Sequence, residues 1–272
     1  MKAIFNAAAV MVVCAVLSPS LSAQWPTYPT WPVPRTATGE PNLSAPAPRT
    51  ADGKPDFSGV WRGAPTGQRG APPPVSPPDG PPLATFRDIG STFKEGLPLT
   101  PYGAEVLAKR KARNSKDNPE AHCLPMGIVQ FHTQGAPRKF IQIPGLIVIL
   151  YEASSGIRQI FTDGRPLPKL DDPQPWFYGY STGKWEGDTL VVETNNLRDD
   201  GWLDIVGNPL TDQAKVTERF RRVSYGRMEI DITINDPKAY TKPFTTRHVQ
   251  DIMPDGELIE FICLENQRFA PQ

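Results

Sequence analysis

"RMEIDITI", Arg227 to Ile234, alternates without a break, with Met228, Ile230, Ile232 and Ile234 on one parity and Arg227, Glu229, Asp231 and Thr233 on the other. Period two puts the apolar four on one face of a strand. That face packs on a core and the opposite one meets water, as in antiparallel sheets. Outward from this stretch the same period recurs from Arg138 on, and strands are expected at 138–143, 146–153, 156–162, 177–185, 188–195, 214–224, 227–235, 243–252 and 257–265. Turn residues separate them: Pro144-Gly145, Ser154-Ser155-Gly156, Glu186-Gly187, Tyr225-Gly226 and Asp255-Gly256. Connections this short make neighbours antiparallel, because a parallel return needs roughly a dozen residues. The expected fold is all-β: an antiparallel meander that closes into a β-barrel and so removes its exposed edges. A two-sheet sandwich is the alternative. "LIVILY", Leu146 to Tyr151, is apolar on both faces and should be covered on both.

A helix is expected near 101–114, where Thr100 suits the cap and Pro101 the first helical position. Lys109, Arg110, Lys111 and Arg113 fall near its C-terminus, where the macrodipole favours cations. The body is assigned to 85–272. Ahead of it, half of the 32 prolines lie between Trp25 and Pro82. Proline removes a backbone donor and fixes φ, so 24–84 reads as a largely disordered leader with one short strand near 56–62, in "KPDFSGVWRG".

Met1-Lys2, the apolar run Ala7 to Leu17 and the small residues up to Ala23 have the three parts of a secretory signal peptide, assigned to 1–23. A periplasmic or secreted protein follows, with no membrane insertion, since no later run approaches the roughly 18 apolar residues a spanning helix needs. Lys and Arg total 29, and so do Asp and Glu. This intermixed balance offers nucleic acid no electrostatic footprint. Cys123 and Cys263 remain after cleavage, an even count in an oxidising compartment, and a disulfide between them is expected. Two buried thiols are the alternative.

"GVW", Gly59 to Trp61, resembles the first-strand signature of lipocalins and the wider calycin barrels, in which the Trp plugs one end and a late Arg covers it. The resemblance implies a lipocalin/calycin-like barrel with Arg247 or Arg268 as that Arg. "HCLPMG" (122–127), "FTDGRPLP" (161–168), "YGYSTGKWEGDTLVVET" (178–194), "TERFRR" (217–222) and "DPKAYTKPF" (236–244) together resemble a family of uncharacterised secreted bacterial proteins. That resemblance implies a secreted all-β protein and carries no catalytic residue with it.

Chemistry has to come from the charged residues. If Val216 and Phe220 face the core, Glu218 and Arg222 share that face, and Arg158, beside Ile160, joins them. A buried ion pair costs several kcal/mol per ion, so it calls for further hydrogen bonds or a polar ligand. The alternative puts Glu218 and Arg222 outward, with the Thr217, Arg219 and Arg221 face covered by the helix. Around "GKWEGD", Trp185 would cap a barrel end and Asp188 would bond turn donors or Arg165. On the other view Asp163, Arg165, Glu186 and Asp188 form a polar rim at the barrel mouth, where ligand sites sit. His122, His132 and His248 lack the short spacing of metal ligands, so no metal or other cofactor is expected. "YSTGK" lacks a nucleophile elbow. The expected function is small-molecule binding in or at the mouth of the barrel, with lyase, isomerase or hydrolase chemistry in the same cavity, or protein docking through the leader, as alternatives.

Overall fold

The computed structural model describes residues 32–64, 80–170, 175–261 and 263. The expected signal peptide and much of the proline-rich tract lie outside them. Nine strands close a barrel: β1 (Gly59–Gly63), β2 (Arg138–Ile143), β3 (Leu146–Tyr151), β4 (Gly156–Phe161), β5 (Tyr180–Glu186), β6 (Thr189–Asn195), β9 (Lys215–Arg222), β10 (Arg227–Asn235) and β11 (Phe244–Ile252). Around the wall the order is β1, β11, β10, β9, β6, β5, β4, β3, β2. A small ribbon, β7 (Gly201–Trp202) with β8 (Pro209–Leu210), lies in the long β6–β9 connection. Helix α1 (Pro101–Ala112) follows β1, with the Thr100 side chain accepting from the Gly103 N–H. The Ile128–Thr133 helix, α2, precedes β2.

The alternation of β10 sets the core: Met228, Ile230, Ile232 and Ile234 are all fully buried, in register with Phe220 and Val216 of β9. Each large apolar side chain so buried contributes about 1.5–3 kcal/mol. β3 keeps Ile147, Ile149 and Tyr151 inward, while Leu146, Val148 and Leu150 are half-buried outside.

Three expectations need correction. β4 and β5 are parallel, paired only at Ile160 with Ser181 and Phe161 with Thr182. The connection from Thr162 to Gly179 is long enough for a parallel return, so the sheet is mixed and not a pure meander. No strand occupies the described part of 257–265, which follows the outside of the barrel with Glu257 paired to Lys139 at 2.8 Å and the Ile259 N–H on Glu152 at 3.1 Å. Finally, the short strand expected near 56–62 is present as β1, but it belongs to the barrel and not to a leader ahead of 85–272, since it enters between β2 and β11 and completes the closure.

The described part of the leader is not a free tether. Two consecutive stretches, "PRTATGEPNLS" (34–44) and "PRTADGKPDFS" (48–58), are copies of one motif and fold alike. In each, the Thr N–H bonds the carbonyl four residues on, Thr36 to Glu40 and Thr50 to Lys54. Gly39 and Gly53 both take left-handed φ, 85° and 79°, which glycine adopts without a Cβ penalty. Proline removes donors, but these turns satisfy the remaining ones internally, which is why such a composition is ordered here. The strap then meets each hairpin turn at one end of the barrel. The Leu43 and Ala45 carbonyls accept from Gly226 and Tyr225, Arg49 binds Asp188, and the Gln142 side chain holds the Pro55 carbonyl and the Phe57 N–H. Phe57 and Trp61 plug that end, fully buried.

At the other end α2 is the stopper, with all six residues buried. Its C-terminal carbonyls would be orphaned in an apolar setting. Arg138, fully buried on β2, meets them: its guanidinium donates to Phe131 at 2.5 Å, His132 at 3.0 Å, Gln134 at 2.6 Å and Ala136 at 2.9 Å. Cys123, just before α2, is joined by a disulfide to Cys263.

Candidate functional site

Between plug and stopper, the inward residues of β4, β5, β6, β9 and β11 turn polar. Period two on β9 brings Glu218 inward between Val216 and Phe220, and β4 brings Arg158 inward beside Ile160. Arg158 NH1 donates to Glu218 Oε1 at 3.0 Å and its NH2 donates to Oε2, a bidentate pair. The Ser181 hydroxyl accepts from Arg158 Nε and NH2, and Thr194 accepts at 3.1 Å. His132, carried in from α2, donates from Nε2 to Glu218 Oε1 at 2.5 Å, and its Nδ1 accepts from the Gln250 amide at 3.2 Å. The chain of contacts thus runs Arg158, Glu218, His132, Gln250.

The electrostatics of this chain follow from burial and pairing. Burial pushes the Glu218 carboxyl up, but the Arg158 charge and the bonds from His132 and Arg158 outweigh it and hold the group at about 2. Burial likewise pulls His132 below the ordinary imidazole range, and the Glu218 bond offsets only part of that. The imidazole is therefore neutral near pH 7, and the single full ion pair in the chain is Arg158 with Glu218. Burial lowers Arg138 to about 10, and it stays cationic.

His248 stands two residues before Gln250 on the same inward face of β11 and is only 1 % exposed. Its ring centroid is 6.2 Å from that of His132. Neither of its nitrogens has a hydrogen-bond partner, and neither does either amide atom of the buried Gln130 on α2, nor Oε1 of Gln250. Burial, with the nearby Arg138 and His132, drives the His248 pKa well below the ordinary range. A neutral ring offers one donor and one acceptor to whatever lies beside it. Among the described residues no group of three metal-ligating side chains occurs, and His122 is remote, exposed and bonded to the Lys116 carbonyl at 2.8 Å.

Of the residues singled out from sequence, Arg158 and Glu218 meet in this interior. Arg222 does not reach them. It donates to the Asp56 and Tyr225 carbonyls, and its guanidinium stands 4.8 Å from the Trp61 ring. Arg222 thus covers the Trp, where Arg247 or Arg268 was expected; Arg247 instead binds Asp231 outside at 2.5 Å, and Arg268 lies outside the described residues. The rim also separates. Asp163 holds Arg165 at 2.6 Å, Glu186 pairs with Arg219 at 3.0 Å, and Asp188 takes Arg49 and not Arg165. Trp185 packs on Phe57 at 5.4 Å. Arg165 and Glu186 do line one groove of about 690 Å³ with Lys184 and Trp185, on the outer wall beside the β4–β5 seam.

Comparison with family models, with curated proteins and with solved structures found no match. The functional reading therefore rests on the chemistry of this interior.

Sequence reasoning missed Arg138, Gln250 and Gln130, and it weighed His132 and His248 only as metal ligands. The signal for β11 was available: "FTTRHVQDI" sets Phe244, Thr246, His248, Gln250 and Ile252 on one parity, but a polar inward face shows no apolar contrast. Helix α2, "IVQFHT", is too short to display a helical period.

Proposed function

We propose that this is a secreted or periplasmic binding protein whose barrel holds a small polar molecule at His248, against the Arg158–Glu218–His132 chain. The observation that carries the reading is the His248 ring, buried with both nitrogens unpartnered. Leaving a buried polar group unmet costs about 1–3 kcal/mol, so several together in one interior ask for a companion. Because Arg158 balances Glu218 and both imidazoles are neutral, the companion bonds through donors and acceptors, beside the buried Arg138 cation that only carbonyls meet. Binding is favoured over lyase, isomerase or hydrolase chemistry because Glu218 is held ionised with both oxygens engaged, and both His132 nitrogens are taken. The lipocalin-like plug, the secreted-family resemblance and the export signal are consistent with this reading and remain part of the proposal. Among the described residues no helix is long and apolar enough to cross a membrane.

Native mass spectrometry of gently purified protein tests it. A stoichiometric non-covalent adduct that His248→Phe abolishes is the expected result. A bare wild-type spectrum, with His248→Phe as stable as wild type, would reduce His248 to a packing residue.

A further inference from the structure

The two leader copies differ in what they hold. The second is a clamp on the β5–β6 turn, and three side chains make the grip. Arg49 NH1 is steadied by the Gly53 carbonyl at 2.8 Å and donates to Asp188 Oδ1 at 2.9 Å, while NH2 meets Oδ2 at 2.6 Å. Lys54 Nζ stands 5.9 Å from the Trp185 ring, and Phe57 packs on the same ring at 5.4 Å.

In the first copy the corresponding positions are Arg35, Glu40 and Leu43. Arg35 NH1 bonds the Gly39 carbonyl at the same 2.8 Å, so its guanidinium is held in the same pose. Yet Arg35 is exposed and has no carboxylate partner among the described residues, and Leu43 is 43 % exposed. The backbone behind them is anchored, since the Leu43 carbonyl accepts from the Gly226 N–H at 2.9 Å and the Ser224 hydroxyl at 3.0 Å. A guanidinium fork fixed by its own turn matches a carboxylate bidentately at little entropic cost.

We propose that Pro34–Ser44 is a second turn clamp, open to an acidic hairpin turn of a partner protein. Glu40 stands where Lys54 faces Trp185, so the partner carries a basic side chain there and not an aromatic one. The β5–β6 turn of a second copy does not qualify, because its Asp188 is already held by its own Arg49 and it presents Trp185 where the first copy asks for a cation.

The probe is a cyclic peptide of the Gly183–Thr194 hairpin with Trp185→Lys, titrated into the full chain and followed by the Arg35 side-chain Nε–H and Gly39 amide NMR signals. Saturable shifts are expected, at least about five-fold weaker binding for the Asp188→Asn peptide, and loss of the Gly39 amide shift in Arg35→Ala and Arg35→Lys. Arg49→Ala should retain it. No shift at millimolar peptide, equal shifts with the Asn peptide, or a full response in Arg35→Lys would overturn the clamp. The His248 reading is untouched by any of these outcomes, since the two sites share no residue.

Discussion

The Arg222 guanidinium stands 4.8 Å from the Trp61 ring, and its NH2 donates at 2.6 Å to the Tyr225 carbonyl. One cation thus ties the aromatic plug to the β9–β10 turn and, through the Asp56 carbonyl, to the strap. Arg222→Leu keeps the volume but leaves these carbonyls unmet, and it should cost about 3 kcal/mol in urea unfolding. Unchanged stability would show that the cation on the plug is dispensable.

Glu218→Gln should be severe. It leaves the Arg158 charge buried without its counter-ion, and removing one partner of such a pair costs about 3–5 kcal/mol. Adding Arg158→Met to it should recover much of the loss, which thermal unfolding of both variants would check.

The same carboxyl sets a pH dependence. Its folded value, about 2, lies below the ordinary 4.5, so between those values the unfolded chain binds more protons. Stability should be complete above pH about 4.5 and fall as pH drops toward 2. Urea midpoints measured from pH 2 to 6 should show this slope, and it should be reduced in the Glu218→Gln, Arg158→Met double variant.

Reducing Cys123–Cys263 releases a loop that spans 140 positions. The chain-entropy contribution for such a loop is about 4–5 kcal/mol, so melting with and without reductant should separate clearly. Cys263→Ser should melt like the reduced protein.

The surface latch predicts the opposite. Arg49 and Asp188 are 52 % and 63 % exposed, so Arg49→Ala should leave the unfolding midpoint nearly unchanged despite bidentate geometry. Gly103→Ala should not be so mild. A Cβ there would lie 2.3 Å from the Ala239 carbonyl oxygen, and overpacking of this kind costs about 1–3 kcal/mol.

What could be read from the chain followed the range of each signal. Period two along "KVTERFRR" places Glu218 inward, and "GIRQIF" does the same for Arg158, because alternation is local. The β4–β5 parallel pair was hidden because the Thr162–Gly179 connection has no periodicity to show its direction. The strap was misread from its prolines, although its two copies stand fourteen positions apart in register, as Arg35 and Arg49 show. The stopper lay beyond pattern reading altogether. Only a tertiary contact, Arg138 on the α2 carbonyls, explains why a six-residue helix with a histidine is stable inside a barrel.

The place of β1 between β2 and β11 has a kinetic meaning. Trp61 pairs with both Arg138 and Ile252, so the wall cannot close until the last strand exists. Contacts so distant along the chain demand loop closure before they repay it, and such topologies fold slowly. During synthesis, the earlier strands would wait as an open sheet with two raw edges. A chaperone that shields those edges, and the bound companion if it enters before closure, would therefore act on the yield of folded protein more than on its final stability.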